Sequence, residues 1–144
     1  MRQKRIYLAS KFARRDEMRA IALDLERTGF AVTSRWLAST APLTPDDLDP
    51  AGLGGQLAVM DFEDLKMSDL CVAFTEEEKQ TSRGRGGRHT ELGMAIGLGI
   101  EVMIVGPREH VFHALPIIRQ FPDWEAARQS LERDAQDSPR LIAI

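Results

Sequence analysis

Short apolar runs alternate along the chain with longer segments whose apolar residues recur at helical spacing. The runs at residues 6–9, 70–74 and 102–105 are bounded by polar or turn-forming residues and are typical of buried strands. Residues 14–28 and 56–68 carry apolar side chains three or four positions apart, which predicts two helices. This alternation predicts an α/β protein, with a parallel sheet covered by helices on both faces.

The remaining elements are less regular. Residues 30–37 are rich in β-branched and aromatic side chains, which predicts a second strand. Residues 39–55 hold three prolines and three glycines, which predicts a long loop, and its place at the ligand edge of the sheet suits a lid. A short fifth strand is predicted around 117–121, and Asp123 is expected to cap a last helix that runs to about residue 134.

The segment GGRHTELGMAIGLGI at residues 86–100 is the most informative part of the chain. A glycine pair precedes a predicted helix over 90–99, with Glu91 in its first turn. Backbone N–H groups of such an entry can approach a ligand closely, and the partial positive charge of a helix N-terminus favours an ionised carboxylate. An ionised carboxylate in a ligand pocket can attack a sugar carbon, so the segment indicates both a site and a chemistry.

Composition narrows the class of protein. A length of 144 residues with 43% hydrophobic content predicts a single domain over residues 1–144 with a substantial core. The net charge of −3 argues against a nucleic acid polymer as partner. Cys71 is the only cysteine, which excludes an internal disulfide and fits a cytoplasmic protein. No signal peptide is expected, because the apolar stretch that follows the basic N-terminus is too short. No membrane contact is expected either, because the longest apolar stretch, at 92–105, is interrupted by Glu101 and is shorter than the roughly 20 residues of a membrane span.

Four blocks of the chain together carry a family resemblance. They are IYLAS at residues 6–10, the pair Asp61 and Asp69, the block 87–97 with TELG at its centre, and the strand and loop at 102–107. In these blocks the chain resembles the nucleoside 2-deoxyribosyltransferase family. The order and spacing of the blocks follow the family from residue 5 to about residue 127. The resemblance implies a flavodoxin-like fold, a doubly wound sheet of about five parallel strands, and a homo-oligomer with sites near the subunit interfaces.

The same resemblance implies roles for three residues. Glu91 would be the nucleophile that attacks the anomeric carbon of a nucleoside and forms a covalent glycosyl ester. Tyr7 would hold that carboxylate in position, and Asp61 would pass a proton to the departing base, which leaves poorly as an anion. Each residue also has a structural alternative: a helix-capping acid for Glu91, strand-end packing for Tyr7 and a solvated helix acid for Asp61.

Further residues near the strand ends and the third helix are candidates for substrate contact: Ser10, Lys11, Phe12, Trp36, Asp69, Gly87, Arg88, His89 and His113. Trp36 could stack on a base or pack as an edge aromatic, and Asp69 could touch the sugar or cap the turn into the third strand. No metal is expected, because the spacing of His89, His110 and His113 along the chain is not that of a zinc site. No cofactor is expected either, since the chain has no P-loop and no glycine-rich dinucleotide motif after the first strand.

Arg83, Arg85 and Arg88 crowd the glycine-rich entry to the third helix. Three guanidinium groups at a helix N-terminus suit a phosphate and indicate a nucleotide 5′-monophosphate, whereas the alternative is a solvated basic loop that balances the acidic residues 76–78. Arg85 is also a departure from the family pattern, in which a second base-contacting carboxylate lies about six residues before the nucleophile.

Three functions remain open at this point. The first is an enzyme of nucleotide salvage that transfers the sugar of a nucleoside, or of its 5′-monophosphate, to another free base. The second is an N-glycosidase that hydrolyses a deoxynucleoside 5′-monophosphate through the same intermediate. The third is a non-catalytic module that binds a nucleotide or ADP-ribose. The sequence does not distinguish ribose from deoxyribose or purine from pyrimidine.

Overall fold

A five-stranded parallel sheet forms the centre of the molecule in the computed structural model, which describes residues 2–39, 43–77 and 86–137. The strands are β1 (Arg5–Ala9), β2 (Ala31–Val32), β3 (Leu70–Phe74), β4 (Glu101–Val105) and β5 (Arg119–Phe121). Every neighbouring pair is parallel, and the order across the sheet is β2-β1-β3-β4-β5. The predicted doubly wound α/β fold is therefore confirmed.

Helices cover both faces of this sheet: α1 (Arg15–Arg27), α2 (Leu53–Lys66), α3 (Gly87–Gly97) and α4 (Trp124–Asp137). Successive side chains of a strand point to opposite faces. Ile6 and Leu8 of β1 thus pack in one core cluster with α1 and α4, whereas Tyr7 and Ala9 pack in the other with α2 and α3. This alternation places the side chain of Tyr7 on the face of the sheet that α2 and α3 cover. Among the described helices, none is long and apolar enough to cross a membrane.

The central strands meet at a topological switch point. The chain leaves β1 towards β2 on one side and leaves β3 towards β4 on the other, although β1 and β3 are paired directly. In open α/β sheets, ligands bind beyond the carboxyl ends of the strands at such a point, because the two connections diverge and leave a crevice. The loops after β1 and β3 border this position.

The strand predicted over residues 30–37 is wrong in length, because β2 covers only Ala31–Val32 and a 3-10 turn soon follows. Beyond β2, side chains replace the ladder bonds to β1. The hydroxyl of Ser34 accepts the amide of Leu8 at 2.7 Å, and the indole Nε1 of Trp36 donates to the Leu8 carbonyl at 2.8 Å. The backbone groups of β1 are thus satisfied without a longer edge strand.

The third helix begins three residues earlier than predicted. Its N-cap is Gly86, which has a φ of +81°, and Gly87 is its first residue. Glu91 therefore lies in the second turn and not in the first. The partial charge of a helix terminus falls off within the first turn, so its effect on this carboxyl is weaker than expected.

The segment over 39–55 is only partly the predicted loop. A 3-10 turn spans Pro45–Leu48, where Thr44 and Asp47 form a capping box, and α2 begins at Leu53. Residues 40–42 lie outside the described part of the chain, and a lid role for this segment stays a prediction. The cap of the last helix is confirmed, since Asp123 Oδ1 accepts the amide of Ala126 at 2.9 Å.

Gly106 ends β4 in a conformation that favours glycine. Its φ is +118°, and an added Cβ would lie 2.4 Å from the hydroxyl of Thr75. We expect Gly106→Ala to lower the free energy of unfolding by about 1–3 kcal/mol, measured by urea denaturation. Gly93→Ala is the control: it lies inside α3 with nothing within 4 Å of an added Cβ, and it should gain about 0.5–1 kcal/mol. Equal effects at the two sites would contradict this account.

Candidate active site

Tyr7 and Glu91 meet between the sheet and α3. Tyr7 is fully buried in β1, and its hydroxyl donates a hydrogen bond to Glu91 Oε2. Glu91 is half-buried, and the adjacent Leu92 and Ala95 pack against the sheet in the same core cluster as Tyr7. This packing fixes the side of α3 that faces β1. The pairing that the sequence predicted for these two residues is thus present in the geometry.

The surroundings disfavour the ionised form of Glu91. Burial raises its pKa and so does the nearby charge of Asp61, whereas the hydrogen bond from Tyr7 lowers it, and the result is a pKa of about 8. Burial therefore opposes the ionised carboxylate that the sequence analysis expected, and the ionised state of Glu91 at neutral pH stays a prediction. Burial and the two carboxyls raise the pKa of Tyr7 far above its ordinary value, which keeps the phenol a neutral donor.

Asp61 is the second carboxyl of this site. It is half-buried on α2, and its charge acts on both Glu91 and Tyr7. Burial and the neighbouring Asp64 raise the pKa of Asp61 to about 6, against the opposing effect of Arg35. Its Oδ1 is buried and has no hydrogen-bond partner within the described residues, which leaves it available to a substrate. Two carboxyls with different raised pKa values are the arrangement that acid–base chemistry uses.

Asp64 affects the pKa of Asp61, a role that the sequence analysis missed. It is 3% exposed, and its two oxygens accept the side-chain Nε of Arg35 at 2.7 Å and the Arg35 amide at 3.0 Å. It lies three residues after Asp61 on the same helix, a spacing that places both carboxyls on one side of α2. That spacing was a readable signal, and its effect is to disfavour a second negative charge on Asp61.

A buried ion pair anchors the start of α3. Arg88 Nη2 donates to Glu109 Oε1 at 2.9 Å and Nη1 donates to Oε2, and the two side chains are 9% and 6% exposed. Glu109 Oε2 also accepts the amide of Glu76 at 3.1 Å, so this residue, which sequence analysis missed, ties α3 to the loops after β3 and β4. Arg88 is therefore engaged within the protein, while Arg83 and Arg85 lie outside the described residues.

All three histidines of the chain lie beside this ion pair. The ring centroids of His110 and His113 are 3.8 Å apart, those of His89 and His110 are 4.6 Å apart, and those of His89 and His113 are 5.6 Å apart. His89 lies in the first turn of α3, whereas the other two follow β4. The spacing of the three histidines along the chain did not indicate this histidine cluster, because the contact joins segments that are distant in sequence.

Of the candidates Ser10, Lys11 and Phe12, only Lys11 lines the cleft of about 470 Å³ at the carboxyl edge of the sheet. Ser10 is buried, and its hydroxyl donates to the Lys11 carbonyl at 2.9 Å. The ring of Phe12 lies 4.6 Å from the guanidinium of Arg15. Lys11 lines the cleft, whose other walls come from α1, α4 and the ends of β3 and β4. The cleft therefore lies on the α1–α4 face and is separate from Glu91 on the opposite face.

Trp36, Asp69 and Gly87 have different surroundings. Trp36 is half-buried and packs against both core clusters, which agrees with the packing alternative. Asp69 lies at the amino end of β3, where its Oδ2 accepts the Arg5 amide at 2.8 Å. These contacts of Asp69 are those of the capping alternative, and a contact with the sugar stays a prediction. Gly87 is exposed at the first position of α3.

Two solved structures share this fold. A CMP N-glycosidase from Clostridium botulinum is 20% identical, with a TM-score of 0.58 over 90% of this chain and 99% of that chain. A 2-deoxyribosyltransferase from Bacillus psychrosaccharolyticus is 20% identical, with a TM-score of 0.64 over 85% of this chain and 89% of that chain. No protein-family model matches the sequence, and no curated protein matches it. At 20% identity the likeness establishes the fold alone, and the chemistry has to be inferred from the residues of this chain.

The raised pKa of Glu91 makes stability depend on pH. The folded protein holds this proton more tightly than the unfolded chain, whose ordinary pKa is 4.5. The stabilisation is full below that value and is lost as the pH rises through about 8. We expect Glu91→Gln, which is neutral at every pH, to have a higher Tm than the wild type at about pH 9 and a similar Tm at about pH 5.

Thermal denaturation across this pH range measures the effect. Glu63→Gln is the matched control, because Glu63 is an exposed carboxyl on the adjacent helix and its removal should leave the slope of Tm against pH unchanged. If Glu91→Gln keeps the wild-type slope, the raised pKa is contradicted.

Proposed function

We propose that this protein cleaves the N-glycosidic bond of a nucleoside or its 5′-monophosphate and transfers the sugar to another base. The observation that carries the proposal is the hydrogen bond from Tyr7 to Glu91, on the same face of the sheet as Asp61. A nucleophilic carboxylate, a hydroxyl that holds it and a second carboxyl of raised pKa are the groups that displacement at an anomeric carbon uses. The activities named for the two structural neighbours support this choice.

The first half-reaction forms a glycosyl ester. A carboxylate oxygen of Glu91 attacks the anomeric carbon while the carbon–nitrogen bond breaks and its electron pair passes to the base. Asp61 donates a proton to that base, whose departure as an anion would be slow. In the second half-reaction a nitrogen of the acceptor base attacks the same carbon, the Glu91 carboxylate leaves and Asp61 recovers a proton. Two inversions give net retention.

Tyr7 is a positioning residue in this scheme. Its neutral phenol engages Glu91 Oε2, which leaves Oε1 for the attack on the sugar. The reactive state needs Glu91 without a proton and Asp61 with one. Burial raises the pKa values of both carboxyls, which favours retention of a proton in the site, and catalysis requires that this proton is on Asp61.

Hydrolysis is the second candidate, with water in place of the acceptor base. It is supported by the neighbour named as a CMP N-glycosidase, 99% of which this chain covers. A 5′-phosphate contact near the third helix would fall to Arg83 and Arg85, because Arg88 is paired with Glu109. In either case we expect a cytoplasmic homo-oligomer that needs no cofactor and has no membrane or nucleic acid polymer as partner.

Chromatography of reaction products tests the proposal. The purified protein is incubated with deoxynucleosides and their 5′-monophosphates, with and without a free acceptor base. A new nucleoside that forms only with the acceptor establishes transfer, and free base that accumulates without it establishes hydrolysis. If the wild type forms neither product but a nucleotide raises its Tm, the proposed activity is wrong and the protein is a binding module.

Variants identify the residues responsible. Glu91→Gln keeps an acceptor for the Tyr7 hydroxyl, and we expect it to lose turnover on the order of 10³-fold or more while it still binds substrate. Asp61→Asn should lose on the order of 10²–10⁴-fold in turnover, and Tyr7→Phe should lose on the order of 10²-fold through misplacement of the carboxylate. Glu63→Gln, an exposed carboxyl on α2, should retain wild-type rates. Full activity of Glu91→Gln would contradict the mechanism.

A further inference from the structure

The histidine cluster of His89, His110 and His113 lies outside the Tyr7–Asp61–Glu91 site and has no part in the reaction described above. One ring nitrogen from each histidine lies within 4.8 Å of one from each of the other two. His89 comes from the first turn of α3, and the other two come from the segment after β4. Three potential metal ligands are therefore brought together by two separate parts of the fold.

Two ring nitrogens in the cluster are buried and have no hydrogen-bond partner within the described residues, namely His110 Nδ1 and His113 Nε2. His113 is 1% exposed, and its other ring nitrogen, Nδ1, accepts the amide of Glu109 at 3.0 Å. An unpaired buried polar atom costs about 1–3 kcal/mol. Such atoms require an explanation, and an ion bound within the cluster would give His113 Nε2 a partner.

The chemical state of the rings suits a metal. Burial, His110 and His89 lower the pKa of His113 to about 4, and burial and the Arg88 charge lower the pKa of His89. These shifts favour the neutral imidazole of His89 and His113, which is the form that binds a metal.

We propose that His89, His110 and His113 together bind one divalent transition-metal ion, with Zn²⁺ as the best match. Nitrogens bound to one zinc at about 2.0–2.1 Å lie about 3.4 Å apart, and His89 Nδ1 is already 3.2 Å from His110 Nε2. Imidazole ligands suit zinc, whereas Mg²⁺ and Ca²⁺ prefer oxygen. Glu109 supplies an outer carboxylate, since its Oε1 lies 3.8 Å from His89 Nε2.

Metal binding redistributes protons without a net loss. The ion replaces the proton shared by His89 Nδ1 and His110 Nε2, and His110 then carries its proton on the unpaired Nδ1. Coordination through His113 Nε2 moves the proton of that ring to Nδ1, so the hydrogen bond from the Glu109 amide is released. The side chain of His89 is 31% exposed, and a water molecule can therefore complete a four-ligand shell.

Such a metal would join the first turn of α3 to the segment after β4. It would act beside the Arg88–Glu109 ion pair, which makes the same connection. Glu91 lies two residues after His89 on the same helix, so the metal would help to fix the helix that presents this carboxyl. The inference does not rest on the proposed function, because the ligands and their geometry are independent of what the Tyr7–Asp61–Glu91 site does.

Metal titration of the untagged protein tests the proposal. After treatment with a chelator and dialysis, the protein is titrated with Zn²⁺ by calorimetry and with Co²⁺ by visible absorption. We expect one ion per chain, a Co²⁺ spectrum typical of tetrahedral nitrogen ligation, a Tm raised by Zn²⁺ and unchanged by Mg²⁺, and a shifted amide resonance for Glu109. Absence of Zn²⁺ binding would overturn the proposal.

A ligand variant and a control locate the site. His89→Gln should weaken Zn²⁺ binding at least about tenfold, and it is the variant least disruptive to the fold because His89 is the more exposed ligand and His113 is buried. Cys71→Ala removes the only thiol of the chain, and it should keep one site of unchanged affinity. Equal Zn²⁺ affinity in the wild type and in His89→Gln would show that the ion binds elsewhere and would overturn the proposal.

Discussion

The hydrogen bond between the Tyr7 phenol and the Glu91 carboxyl is the interaction around which the functional face is organised. It requires a tyrosine at an inward position of a fully covered strand and a glutamate on the side of α3 that faces the sheet. Both conditions follow from periodicity, since Ile6 and Leu8 occupy the opposite face of β1. Burial raises the pKa values of both groups, because removing Glu91 from water makes its charged form energetically unfavourable.

The start of α3 is held more firmly than a glycine-rich loop alone would suggest. Glu109 receives two hydrogen bonds from Arg88 and one from the amide of Glu76, and the histidine cluster packs beside this ion pair. The nucleophilic role proposed for Glu91 requires a helix that is fixed in both position and rotation. The Arg88–Glu109 ion pair holds the start of α3 against the loops after β3 and β4. Leu92 and Ala95 hold the helix against the sheet by packing in the core.

The sequence predicted what depends on local pattern and on resemblance. The buried strands were readable because their apolar runs are continuous, and the pairing of Tyr7 with Glu91 followed from family resemblance. The length of β2 was not readable, because side chains of the following turn replace its ladder bonds. The start of α3 depends on the left-handed conformation of Gly86. The roles of Glu109 and of the histidine cluster depend on contacts between α3 and the segment after β4, which no local pattern encodes.

The central claim is that Glu91 forms a covalent bond to a sugar, and mass spectrometry of the protein tests it most directly. The protein is mixed with a deoxynucleoside in the absence of acceptor base, quenched in acid and digested. The account predicts a peptide that contains Glu91 and is heavier by one deoxyribosyl group, and predicts that this peptide is absent from Glu91→Gln treated in the same way. A sugar attached to any other residue, or product formation by Glu91→Gln at the wild-type rate, would contradict it.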